Sequence, residues 1–152
     1  ERDLPEVRKR AFVDLSPDFG PNKAHPTAGA ICVGARQILV AYNVWLKNST
    51  LEEGRRIARE LRSREVRTLG LKLGEEIQVS MNLIAPDVAG PEFVFDEIAK
   101  HAEISRAELV GLVPARVLTQ ITKSRWSELD LSKEKTIEWC LAARNRALQN
   151  LE

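Results

Sequence analysis

Two alternating segments joined by two residues constrain the fold of this chain more than any other feature. The second segment is Glu76 to Leu83, in which apolar and polar side chains alternate strictly from Ile77, and the first is Val66 to Leu73, which precedes it across Gly74-Glu75. A period of two is typical of a half-buried strand, and so short a connection favours an antiparallel hairpin. The sequence therefore predicts a sheet with one apolar face and one polar face.

The alternation also assigns side chains to the two faces, because successive residues of a strand point in opposite directions. The polar set of the second strand is Gln78, Ser80 and Asn82. The polar or small set of the first strand is Thr68, Gly70 and Lys72, and its apolar set is Leu69, Leu71 and Leu73. We expect both polar sets to lie on the polar face.

Other segments supply further strands and helices. The apolar pattern predicts two strands at residues 30–33 and 37–46, joined by a turn at 34–36, and a further strand at residues 107–113. Helix starts are predicted at Ser49 or Thr50, at Pro91 and at Ser132. The last of these helices should turn four apolar side chains inward, namely Ile137, Cys140, Leu141 and Leu148. A helix from Pro5 to Phe12 has little apolar surface and is expected to belong to something upstream.

The resulting order, β-β-α-β-β-α-β-α, predicts an α+β fold with a largely antiparallel sheet. Right-handed crossovers place the first two helices after the opening strands on the same face. The economical solution is a split-βαβ, ferredoxin-like arrangement with an extra N-terminal strand. The other face of the sheet then receives no helix from this chain.

Asn43 stands out in segment 37–46, which is otherwise apolar on both faces. By parity it shares the uncovered face with Leu39, Ala41 and Trp45, and its amide costs stability there unless it is hydrogen-bonded. The polar face either meets water, as on any one-sided antiparallel sheet, or lines a cleft that another subdomain closes. The position of Asn43 favours the cleft.

Charge and composition exclude several classes of function. The 23 basic and 22 acidic side chains give a net charge of +1, without the basic excess of general nucleic-acid binders. No apolar run approaches the ~20 residues of a membrane span. Cys32 and Cys140 have apolar neighbours, which is typical of buried free thiols, and neither has metal-ligand spacing. We expect no nucleic acid, membrane or metal among its partners.

Five short motifs follow one another between residues 14 and 118. They are Pro-Asp-Phe-Gly-Pro at 17–21 with His-Pro-Thr-Ala-Gly at 25–29, Val-Gly-Ala-Arg at 33–36, Ala-Tyr-Asn-Val at 41–44, Gln-Val-Ser-Met-Asn-Leu at 78–83 and Glu-Leu-Val-Gly-Leu-Val-Pro at 108–114. In this order and spacing they resemble the glutamate formiminotransferase family. The resemblance covers about two-thirds of the chain.

The resemblance implies a function and its partners. That family transfers a formimino group between N-formiminoglutamate and tetrahydrofolate, in histidine degradation, within a tunnel between two α/β subdomains. Tetrahydrofolate would be a co-substrate, no metal would take part, and the enzyme would be a cytoplasmic homodimer. The family's catalytic histidine lies in the N-terminal subdomain, upstream of Glu1, so no catalytic residue is expected here. Residues 1–29 would be the tail of that subdomain and the folate loop, and residues 30–152 the C-terminal subdomain.

The resemblance also implies folate contacts. The family's proline-rich loop corresponds to ten consecutive residues here, which are Pro17, Asp18, Phe19, Gly20, Pro21, Asn22, Lys23, Ala24, His25 and Pro26. The turn and the sheet add Arg36, Asn43, Arg67, Ser80 and Asn82. Phe19 offers a ring for stacking, Asp18 suits the donor edge of a pterin, and Lys23, Arg36 and Arg67 suit the glutamate carboxylates. We expect His25 to be a loop hydrogen-bonding residue rather than a general base.

One departure from the family leaves an alternative open. A glycine-containing insertion that contacts folate in the family is missing, because residues 61–67 pass almost directly from helix to strand. This favours a non-catalytic binding or dimerisation module, whereas the intact loop at 17–29 favours the enzyme. A nucleic-acid-binding module would need exposed aromatic residues on the open sheet face, where Trp45 is the one candidate.

Overall fold

The computed structural model of this protein describes residues 4–149, with side chains as far as residue 146. The chain divides into two units between Arg36 and Gln37. The first unit contains α1 (Leu4–Arg10), which has no buried residue. Helix α1 was predicted to continue to Phe12 but ends at Arg10, because Phe12 takes a left-handed conformation with φ of 62°.

The strand predicted at residues 30–33 is wrong. Residues 30–39 contain no regular element, and Ile31 and Val33 are 88% and 93% exposed. A strand needs a neighbour to bond its backbone groups, and this segment pairs with none of the described strands. Cys32, expected to be buried, is therefore exposed as well, while Cys140 is half-buried.

The second unit is α+β, as predicted, with a four-stranded antiparallel open sheet. Its elements in chain order are β1 (Val40–Leu46), α2 (Leu51–Leu61), β2 (Val66–Leu73), β3 (Glu76–Leu83), α3 (Pro91–Ala99), β4 (Ile104–Val110), α4 (Ala115–Leu118) and α5 (Ile137–Gln149). Two short 3₁₀ helices lie at Lys123–Arg125 and Lys133–Lys135. The spatial order of the strands is β2-β3-β1-β4, so β1 and β3 are central.

Helix α2 starts where a local signal predicts it. Thr50 accepts a hydrogen bond from the Glu53 amide at 3.2 Å, and the Glu53 carboxylate accepts one from the Thr50 amide at 2.7 Å. This capping box satisfies two amides that a helix start leaves without partners. The bond from the Thr50 backbone is the main reason that the pKa of Glu53 is lowered.

The covered face of the sheet carries the core. Val40, Tyr42 and Val44 of β1 are fully buried together with Val79 of β3, and α2 packs on β2 and β3. The approach of α2 is close: a Cβ at Gly70 would lie 2.5 Å from the backbone nitrogen of Arg55. The Tyr42 hydroxyl donates to the Leu129 carbonyl at 2.9 Å and ties the segment after α4 to this face.

The predicted faces of β2 are reversed. The register pairs Thr68 with Met81 and Gly70 with Val79, which are buried core residues. Thr68 is 3% exposed, and its hydroxyl donates to the Ala58 carbonyl of α2. Three leucines point to the other face and are exposed, namely Leu69, Leu71 and Leu73. Thr68 and Gly70 lie beneath α2, which approaches so closely that it leaves room for a glycine and for a hydroxyl bonded to its backbone.

Both edge strands bond to a side chain from outside the sheet. Arg62, just after α2, donates to the Thr68 carbonyl of β2 at 2.8 Å. Asp130 accepts from the Leu109 amide of β4 at 2.8 Å. Such contacts occupy backbone groups that would otherwise pair with another strand.

The C-terminal part differs from its prediction in three respects. Strand β4 runs from Ile104 to Val110 rather than over 107–113, and Gly111, with φ of 89°, follows it.

Helix α5 begins after Thr136, whose hydroxyl accepts from the Trp139 amide at 3.3 Å, and not at Ser132. Leu141, predicted to be inward, is 56% exposed, because α5 packs on α4 and a 3₁₀ helix rather than on the sheet. Ile137 and Cys140 are half-buried, and Leu148 lies outside the described side chains.

Candidate functional site

The open face of the sheet consists of the strand residues that alternate with the core positions. Across the central strands, Asn43 of β1 is the register partner of Ser80 in β3 and of Glu108 in β4. Asn43, Ser80 and Glu108 are all half-buried. The structure therefore brings an amide, a hydroxyl and a carboxylate into one row across the middle of this face.

Glu108 of β4 is bonded to two residues of the neighbouring strand β1 through one oxygen. Its Oε2 accepts from Asn43 Nδ2 at 3.0 Å and from Trp45 Nε1 at 3.1 Å. These bonds explain how Asn43 is tolerated in an otherwise apolar strand, because its amide has a partner of opposite polarity. The Asn43 side chain is thus fixed in orientation before any ligand arrives.

Arg106 extends this group of side chains towards β3. Its guanidinium lies 4.0 Å from the centre of the Trp45 ring, a cation–π distance. It also donates to Glu76 at 3.1 Å. The bond to Glu76 raises the pKa of Arg106 and lowers the pKa of Glu76. Trp45 is consequently held from both sides, by Glu108 at its nitrogen and by Arg106 over its ring.

A depression of about 360 Å³ lies where β2 and β3 meet the end of α2. Its lining includes three of the predicted site residues, which are Arg67, Ser80 and Asn82, together with Arg62 and Leu69. Asn82 is the register partner of Arg67 and is exposed. The depression is thus lined by two arginines, a serine and an asparagine, residue types that suit an anionic or amide-bearing ligand.

The proline-rich loop and Arg36 belong to the first of the two units, and the sheet belongs to the second. Phe19 is 94% exposed. His25 closes a tight turn: its backbone exchanges two 2.9 Å hydrogen bonds with Gly29, and its Nδ1 accepts from the Ala28 amide at 3.1 Å. His25 is thus a loop hydrogen-bonding residue, as expected, and an accepting Nδ1 keeps the proton of the neutral ring on Nε2.

The sequence reasoning missed Glu108 and Arg106. Glu108 lies in the motif at 108–114. The strand was predicted to begin at Ala107, so the residues before it were not used to assign Glu108 to a face. Arg106 and Glu108 alternate with Ala107 and Leu109, and this period of two is the signal that would have found them.

Within residues 4–149, no three His, Cys, Asp or Glu side chains are grouped so that they could hold a metal ion. None of the described helices combines the length and apolar character that crossing a bilayer requires.

Comparison with known proteins agrees with the motifs. The chain is 38% identical over 133 aligned positions to the formimidoyltransferase-cyclodeaminase of Sus scrofa, covering 76% of this chain and 24% of that protein. It is 30% identical to the glutamate formimidoyltransferase of Streptococcus pyogenes serotype M1, covering 90% of this chain and 52% of that protein. It is 37% identical to the glutamate formimidoyltransferase of Thermoplasma acidophilum, covering 70% and 39%. No protein-family model matches the chain.

These similarities confirm the resemblance inferred from the motifs. The chain is a relative of the glutamate formimidoyltransferases. It spans about a quarter to about half the length of the three relatives named above.

Proposed function

We propose that this chain is the tetrahydrofolate-binding half of a glutamate formimidoyltransferase. The complete enzyme would transfer a formimino group between N-formiminoglutamate and tetrahydrofolate, as a step of cytoplasmic histidine degradation. The names and similarity of the relatives support the transfer reaction. The observation that carries the assignment to a binding half is the open sheet face, with Asn43 and Glu108 bonded to each other across its centre.

We propose that this face is one wall of a cleft. The element order β1-α2-β2-β3-α3-β4 with strand order β2-β3-β1-β4 fits a split-βαβ, ferredoxin-like sheet. An N-terminal subdomain would form the second wall and supply the catalytic histidine. Domain limits at residues 1–29 and 30–152, and a homodimer, remain part of this proposal.

The proposed folate contacts follow the resemblance to the family. Asn43, Ser80, Asn82 and Arg67 would meet it from the sheet, with Arg67 paired to a glutamate carboxylate. The proline-rich loop at 17–26 would contribute the ring of Phe19 and the carboxylate of Asp18, and Arg36 a further positive charge. The exposure of Phe19 and the depression beside Arg67 support these roles.

Calorimetric titration of the purified chain with tetrahydrofolate tests the proposal. We expect a dissociation constant in the high-micromolar to millimolar range, since one wall buries only part of a ligand. Asn82→Ala should weaken binding, and Arg116→Ala should not, because Arg116 is paired with Asp87 outside the site. Equal binding by both variants would place the ligand elsewhere, and no binding by the unmodified chain would favour the non-catalytic module.

A turnover assay tests where the base lies. The chain should not transfer the formimino group by itself, because general acid–base catalysis contributes roughly 10²–10⁴-fold and no residue here corresponds to the family's histidine. Measurable turnover that survives His25→Ala would contradict the assignment of the base to the other half.

A further inference from the structure

Glu108 uses only half of its capacity to accept hydrogen bonds. Asn43 Nδ2 and Trp45 Nε1 both donate to Oε2, which occupies the two lone pairs of that oxygen. Among the side chains of residues 4–146 and the backbone of residues 4–149, no group donates to Oε1. That oxygen therefore keeps both of its lone pairs for further donors.

The surroundings keep this oxygen available. Glu108 is half-buried at the middle of the open face, and its two protein partners are neutral. The nearby cation, Arg106, directs its guanidinium to Glu76 and over Trp45. The hydrogen bonds of the carboxylate thus come from neutral groups, and two bonds from β1 fix its position.

We propose that Glu108 Oε1 binds a planar N–C–N donor edge, the group shared by amidines and 2-amino-pyrimidinones. The two N–H groups of such an edge are parallel and close together, so one oxygen without other donors can accept from both. Charge-assisted bonds of this type are the stronger ones. The inference rests on the proposed function, since a pterin carries this edge on its 2-amino-pyrimidinone ring and N-formiminoglutamate carries it in its formimino group. A pterin bound in this way would direct its donor edge to Glu108 rather than to Asp18.

Two matched ligand pairs test the chemical class and identify its source. Pterin is compared with lumazine, which has an oxygen in place of the 2-amino group, and N-formiminoglutamate with N-formylglutamate. We expect the nitrogen member of one pair to bind about tenfold more tightly than its oxygen analogue. Glu108→Gln should abolish that preference, because the amide carries no charge. Glu75→Gln, which changes a carboxylate that is 96% exposed, should preserve it.

The indole N–H signals give a readout that needs no variant at Glu108. Trp45 Nε1 donates to Glu108, so the preferred ligand should shift the Trp45 signal in an NMR titration. The signals of Trp126 and Trp139 should move less, and Trp45→Phe identifies the Trp45 peak. Equal affinities within both pairs, or an unmoved Trp45 signal, would overturn the inference. If tetrahydrofolate still bound, the proposed function would stand; if no ligand bound at all, both would fall.

Discussion

The two faces of the sheet differ although the same strands form them. Within β1, Val40, Tyr42 and Val44 are fully buried, whereas Asn43 and Trp45 are half-buried. The covered face is held by apolar volume and by a helix in close contact. The open face is held by hydrogen bonds between neighbouring strands, centred on Glu108. Folding stability should therefore depend mainly on the first face, and ligand binding on the second.

The largest expected effect compares two leucines on opposite faces. Leu83 is fully buried, so Leu83→Ala should lower the free energy of unfolding by about 2–5 kcal/mol through lost burial and a residual cavity. Leu69 is 59% exposed, and Leu69→Ala should change it by no more than about 0.5 kcal/mol. Urea unfolding of both variants measures the difference. Similar losses would mean that the open face is also covered.

The next effect concerns the contact between α2 and β2. Gly70→Ala should cost about 1–3 kcal/mol, because the added Cβ would displace the backbone of α2 at Arg55. Gly34→Ala is the control, since a Cβ there meets no atom within 4 Å. Thermal unfolding monitored by circular dichroism compares the two. An unchanged midpoint for Gly70→Ala would contradict the close approach of α2.

Tyr42 makes the stability of the covered face depend on pH. Burial, with smaller contributions from Asp130 and Glu128, raises the pKa of Tyr42 above its ordinary value. The hydroxyl therefore loses its proton at a lower pH in the unfolded chain than in the folded protein. This contribution to the free energy of unfolding is fully present below pH ~10 and is lost as the pH rises above it. The loss should approach about 1.4 kcal/mol per pH unit.

Two measurements check the prediction for Tyr42, which is the only tyrosine of the chain. Absorbance at the tyrosinate band should show no ionisation near pH 10 while the protein stays folded. Tyr42→Phe should remove this contribution to the alkaline loss of stability and cost about 1 kcal/mol at neutral pH, because the Leu129 carbonyl loses its donor. Ionisation near pH 10 in the folded protein would contradict the burial of the hydroxyl.

A smaller loss of stability is expected on the open face. Asn43→Ala should lower the free energy of unfolding by about 1 kcal/mol, since Glu108 keeps its bond from Trp45. Binding of tetrahydrofolate should weaken markedly in the same variant. A loss of about 3 kcal/mol with unchanged affinity would make Asn43 a core residue and reject the cleft.

The smallest effect is expected at the exposed end of the same face. Arg106→Gln should leave the urea midpoint unchanged, because exposed ion pairs contribute little. The Trp45 indole signal should nevertheless shift, since the guanidinium no longer lies over its ring. A clear drop in stability would show that Arg106 contributes to folding as well as to the position of Trp45.

Local patterns predicted the hairpin correctly and predicted a strand at 30–33 that the structure lacks, for related reasons. Both strands of the hairpin begin and end at the predicted residues, and Gly74 makes the turn with φ of 61°. Alternation and turn chemistry act between neighbours, so a window of sequence contains them. Whether residues 30–33 find a pairing strand depends on distant segments, and the apolar run there carried no such information.

The sequence by itself determined the hairpin, a cap for α2 at Ser49 or Thr50, the antiparallel α+β class and the face of Asn43. The hairpin, the cap and the face of Asn43 each depend on residues within a few positions of one another, and the class follows from the order of the elements. Only the tertiary structure decided that Thr68 and Gly70 face α2 while three leucines face outward, and that Glu108 bonds Asn43 and Trp45. These features follow from the register between strands and from the space beneath a helix, which arise when segments far apart in the chain pack together.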